Sequence, residues 1–113
     1  MREILFRGKR VDNGKWSYGS LVCWKTDGGD SRCDIFSQGL GNGVIPSTVG
    51  QYTGLDDKDG RRIFEGDIID CPRFQCTLVV SWNNGGFGNF DYWGNDIEVI
   101  GNVHDNPELM EAK

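Results

Sequence analysis

The 113-residue sequence has little proline, one histidine and no long apolar run. No stretch approaches the roughly 18 apolar residues of a membrane span. The opening, MREILFRGKRVDNGKW, is charged throughout and has no apolar h-region, so it does not read as a secretory signal, and a cytosolic setting is the default expectation. From Phe74 to Ala112 there is no Lys or Arg, while Asp91, Asp96, Glu98, Asp105, Glu108 and Glu111 all fall there. The net charge of −5 argues against nucleic acid as partner, because a phosphate backbone needs a basic footprint. Cysteine is limited to Cys23, Cys33, Cys71 and Cys76. An even count permits two disulfides, but in a reducing compartment buried thiols are the expectation. Cys71-x4-Cys76 just meets zinc-ligand spacing and Cys23-x9-Cys33 does not, so no metal is assigned.

What is abundant is glycine, at seventeen residues, and aromatic surface, with four Trp, three Tyr and six Phe. The length corresponds to one domain, with a core large enough to need no staples. Apolar residues alternate with small or polar ones over short stretches, and turn dipeptides separate those stretches. KWSYGSLVCWK places Trp16, Tyr18, Val22 and Trp24 on one side, with Ser20 between them, and Ser17, Gly19, Leu21 and Cys23 on the other. Asn13-Gly14 ahead of it is a turn signal. TDGGDSR is a loop; a short strand is expected at Asp34–Phe36, followed by a Gly-rich loop over GLGNG. Ser47 to Gln51 fits a helical turn or an extended edge. QCTLVVSW is the clearest strand, with Cys76, Leu78, Val80 and Trp82 on one side; NNGG turns it into a returning strand, FGNFDYW. IEVIGNV is a last strand. DNPELMEAK then reads as a short helical turn, with Asn106 as N-cap and Pro107 at the first helical position. Seven to nine short strands make the fold mostly all-β. The expected layout is N-terminal strands over about residues 1–50, an SH3-like or barrel-like part over about 51–105, and a terminal helical turn at 106–112.

The densest chemistry lies in QYTGLDDKDGRRIFEGDII, from Gln51 to Ile69. Asp56, Asp57, Asp59 and Glu65, with Asp67 just beyond, invite a metal or acid–base reading. A calcium loop starting at Asp56 would need a ligand at its third position and Gly at its sixth; Lys58 and Arg61 stand there. Turn chemistry explains the same residues better: Gly54, Gly60 and Gly66 permit corners, and Asp59, Glu65 and Asp67 can hold backbone N–H groups. Gly101, Asn102, Asn106 and Pro107 read as structural turn residues of the closing block. His104 beside Asp105 invites a nucleophile reading, but no G-x-S-x-G, H-E-x-x-H or P-loop pattern accompanies it. No catalytic, cofactor or metal residues are therefore assigned. An interaction surface is expected on the hairpin carrying Trp82, Phe87, Phe90, Tyr92 and Trp93, because alternation puts aromatics on both of its faces and one lies exposed unless the N-terminal strands cover it.

Three separated blocks, MREILFRGKR, QYTGLDDKDGRRIFEGDII and IEVIGNVHDNPEL, together resemble the YopX family of phage and prophage proteins. Gly28 to Thr48 matches least. The resemblance implies a mostly β fold with a barrel-like C-terminal part and a phage or prophage origin, hence a bacterial host cell, and it brings no catalytic residues. The expected function is that of a non-enzymatic accessory protein acting through protein contacts, its own copies included. The alternatives are a small metal-dependent hydrolase or nuclease using the acidic cluster, and an acidic mimic of nucleic acid that occupies a host factor.

Overall fold

The computed structural model describes residues 4–81 and 96–111. Nine strands run through it: β1 (Phe6–Lys9), β2 (Trp16–Lys25), β3 (Ser31–Ser37), β4 (Leu40–Val44), β5 (Gly50–Asp56), β6 (Arg62–Phe64), β7 (Asp67–Cys71), β8 (Cys76–Val79) and β9 (Glu98–Asn102). Two 3-10 turns, Pro46–Thr48 and Pro72–Phe74, and a terminal helix α1 (Glu108–Glu111) complete the list. The all-β expectation holds, and every strand pairing with a defined register is antiparallel. The chain divides into two compact units, Met1–Tyr52 and Thr53–Lys113.

In the first unit the strands lie in the order β4-β3-β2-β1-β5. The outer strand β4 also returns to β1: Arg10 bridges Val44, the Val11 N–H donates to the Gly43 carbonyl at 3.0 Å, and the Ile45 N–H donates to the Lys9 carbonyl at 2.8 Å. Four strands thus close on themselves, which pairs an edge that would otherwise lie open. Cys33, Ile35 and Val44 form the enclosed core, with Phe6, Leu21 and Val49 packed against them. Thr48 anchors the 3-10 turn beside it, accepting from the Lys9 N–H at 2.9 Å and donating to the Ile45 carbonyl at 2.6 Å.

Two expectations change here. GLGNG is mostly strand β4, not loop, because Gly43 pairs with Asp34 and Gly41 with Phe36 in a continuous ladder with β3. Cys23 and Cys33, expected as thiols, are joined as a disulfide. The reason is register. They are direct partners across β2 and β3. The Thr26 N–H donates to the Asp30 carbonyl at 2.9 Å. Alternation from that bonded pair makes Cys23–Cys33 a non-hydrogen-bonded pair, the closer of the two kinds. Their Cα atoms are 4.1 Å apart.

The second unit is built on β7, the middle strand of the sheet β8-β7-β9. Ile68 and Ile69 are both fully buried although they point to opposite faces, so β7 is covered on both sides. A bulge between these two residues adjusts the register against β9. The core is Ile63, Ile69, Cys71, Val80 and Ile97, with Cys76, Leu78 and Val99 against it. The SH3-like closure expected over 51–105 depends in part on residues 82–95, which lie outside the described residues, as does the returning strand FGNFDYW.

Candidate functional site

The acidic cluster resolves into turn supports. Asp57 is buried at the corner between β5 and β6. Its Oδ1 accepts from the N–H groups of Asp59 at 2.9 Å and Arg61 at 2.8 Å, and its Oδ2 accepts from the Val99 N–H at 2.9 Å. Burial pushes this carboxyl up, but the N–H groups of Val99, Arg61 and Asp59, helped by the Arg61 charge, outweigh burial and hold it below the ordinary carboxylate range. Asp67 does the same work one corner on: its Oδ2 accepts from the Phe64 N–H at 2.7 Å. Gly60 and Gly66 have φ of 85° and 93°, the left-handed region that their turns require, whereas Gly54, expected at a corner, lies within strand β5 with φ 91°. Asp56 and Asp59 are exposed and Glu65 is half-buried. Among the described residues no three His, Cys, Asp or Glu side chains gather to hold a metal ion.

The closing block is likewise scaffolding. The Asn102 Oδ1 accepts from the N–H groups of His104 at 3.0 Å and Asp105 at 2.9 Å, while its Nδ2 donates to the Asp105 carboxylate at 3.2 Å. Asn106 was expected to cap α1 with its side chain. Its carbonyl accepts from the Leu109 N–H at 3.1 Å, but its Oδ1 turns back to accept from the Asn102 N–H at 3.2 Å. Gly101 explains its place by contact: a Cβ there would stand 2.7 Å from Asn106 Oδ1 and 2.9 Å from a Leu109 methyl.

The expected interaction hairpin, Trp82, Phe87, Phe90, Tyr92 and Trp93, lies outside the described residues. A different surface emerges on β2 and β3. The side of β2 carrying Leu21 packs into the first core, and the side carrying Tyr18, Val22 and Trp24 faces out. Gly19 sits on the inward side because a Cβ there would strike the Phe36 carbonyl. Tyr18, Val22 and Trp24 are 45, 50 and 45% exposed, and Phe36, which pairs with Ser20 on the same face, is 39% exposed. Trp24 pairs directly with Arg32, and Val22 with Asp34. Trp24, Arg32 and Asp34 also line an open groove of about 500 Å³, together with Val11 and Pro46. The alternation in KWSYGSLVCWK reveals both sides of the strand; what it does not reveal is that the side richer in aromatics is the outer one.

A family model described as YopX protein matches residues 5–111. The chain belongs to the YopX family. No curated protein matches it. Among solved structures it is similar to protein EF1440 from Enterococcus faecalis, at 23% identity and a TM-score of 0.60, with 97% of this chain and 99% of that one covered. That likeness concerns the fold. Two of the blocks that carry the resemblance, around Asp57 and around Gly101, are the two turn scaffolds just described, and Asp57 ties one directly to the other. No helix among the described residues is long and apolar enough to cross a membrane.

Proposed function

We propose that this YopX chain is a non-enzymatic phage or prophage accessory protein that works in the bacterial cytoplasm by self-association through the outer face of β2 and β3. The observation that carries the reading is the row of four large apolar side chains, Tyr18, Val22, Trp24 and Phe36, left 39–50% exposed on one face of a paired ribbon. Charge points to a second copy as occupant. Residues 1–52 hold seven Lys/Arg against five Asp/Glu, for +2; residues 53–113 hold five against twelve, for −7. A basic-leaning unit that carries this apolar face and an acidic unit on the same chain are complementary between copies. The hydrolase reading loses support because both Asp57 oxygens are engaged by backbone N–H groups and no three His, Cys, Asp or Glu side chains gather among the described residues.

Analytical ultracentrifugation over a concentration series tests this. The expected result is a dimer or larger species that Val22→Asp or Trp24→Ser dissociates without loss of folded signal. A monomer at every concentration would overturn self-association. If that monomer instead captures a host protein through the same face, the surface stands and its occupant changes.

A further inference from the structure

We propose that Cys71 and Cys76 form a reactive dithiol, which an oxidant of the peroxide class closes into a second cross-strand disulfide. Both are thiols in the structure. They are direct partners in the β7–β8 register, at the mouth of a hairpin whose loop is Pro72–Gln75. The loop is held in shape by the Gln75 N–H, which donates to the Pro72 carbonyl at 3.1 Å, and by the left-handed backbone of Gln75 at φ 54°.

The register predicts the separation of the two residues. The Val80 N–H donates to the Asp67 carbonyl at 2.9 Å, and pairing steps one for one from there to the loop. Alternation then makes Cys71–Cys76 a hydrogen-bonded pair, with Cα atoms about 5.5 Å apart. That lies within the roughly 4.4–6.8 Å that a disulfide spans. Cys23–Cys33 occupies the closer kind of pair and is bridged; Cys71–Cys76 occupies the wider kind, with Cβ atoms toward the far end of about 4.5–5.5 Å, so closing the bond draws the two strand ends together by about 1 Å at the mouth of the hairpin. The two sulfurs share one face, since both residues belong to the same apolar cluster.

Exposure sets the order of events. Cys71 is fully buried and Cys76 is half-buried, so the oxidant meets Cys76 first. The Cys76 thiolate attacks one peroxide oxygen. The O–O bond breaks, the leaving hydroxide takes a proton to become water, and Cys76 becomes a sulfenic acid. Cys71, having released its own proton, attacks the Cys76 sulfur. The S–S bond forms, the S–O bond breaks, and a second water leaves. Two thiols lose two electrons in total, and one peroxide is reduced to two waters.

The sequence offers a direct assay. Arg73 lies between the two cysteines and no Lys or Arg follows until Lys113. Trypsin therefore separates a peptide ending at Arg73 from one beginning at Phe74, and only a Cys71–Cys76 bond would hold them together. The full chain carrying Cys23→Ser and Cys33→Ser is treated with stoichiometric hydrogen peroxide and weighed intact. The expected result is a mass lower by two hydrogens, loss of both thiols to a thiol-reactive dye, a linked tryptic pair, and full reversal by dithiothreitol. A mass gain from sulfinic acid, covalent dimers on a non-reducing gel, or two unmodified thiols would each overturn the proposal. The same tryptic mapping on the unmutated chain guards against misfolding of the double variant. Because the readout is covalent, it is independent of whether the chain self-associates.

Discussion

At Asp57, one carboxylate closes the β5–β6 corner and reaches β9 across the chain. Asp57→Asn keeps the shape but can turn an NH₂ toward a backbone N–H, so at least one buried donor loses its acceptor. The expected loss is about 2–3 kcal/mol at neutral pH, read by urea unfolding. The pH dependence follows from the sign of the shift. A carboxyl held below its ordinary value in the folded state contributes fully above the unfolded value, about 4, and loses that contribution as pH falls through the folded value. The gap between the unmutated chain and Asp57→Asn should therefore narrow in acid; a gap that stays constant down to pH 2 contradicts the assignment. Gly101→Ala is a second case. The added methyl displaces the Asn106 oxygen and breaks its bond to the Asn102 N–H, at a cost of about 1–3 kcal/mol. A melting temperature equal to that of the unmutated chain would show that the block yields without penalty.

The strands show where sequence reasoning succeeds and where it stops. The period-2 patterns in KWSYGSLVCWK and QCTLVV, and the glycine–aspartate corners before β6 and β7, were legible because each depends only on residues near one another. Three things were not. GLGNG looked like loop because glycine weakens strand propensity, yet β3 supplies a partner for each of its residues after Gly39. Cys23 and Cys33 looked unbridged because compartment argued against it, while register, which no local pattern discloses, put them face to face. The alternation in β2 did not say which side was core, and long-range closure of the first unit put the Leu21 side inside. The disulfide ties β2 to β3 across a separation of 10 residues. Removing it by Cys23→Ser with Cys33→Ser should lower stability by about 2–3 kcal/mol in the chain-entropy account. Unfolding midpoints with and without dithiothreitol check this, since the reductant should destabilise only the chain that still has the bridge.

For the molecule as a whole, charge is the lever. If copies associate as proposed, units of +2 and −7 attract across the contact, and exposed charges are screened beyond about 8 Å at physiological salt. Association through the β2–β3 face should weaken as sodium chloride rises, while the apolar contribution of Tyr18, Val22, Trp24 and Phe36 remains. Sedimentation at low and high salt separates the two: an affinity that falls with salt and vanishes in Val22→Asp fits both parts, and salt-insensitive association removes the electrostatic half.

The reach of Asp57 to Val99 also governs when the second unit can exist. Val99 N–H, Ile97 in the core and the whole of β9 complete a corner translated some forty residues earlier. The first unit has all of its closing contacts once Tyr52 is out, and can fold during synthesis. The second must wait until Ile97 and β9 have emerged. A nascent chain stalled before Ile97 would pair a protease-resistant front with a protease-sensitive rear, and full-length release would convert the rear in a single step.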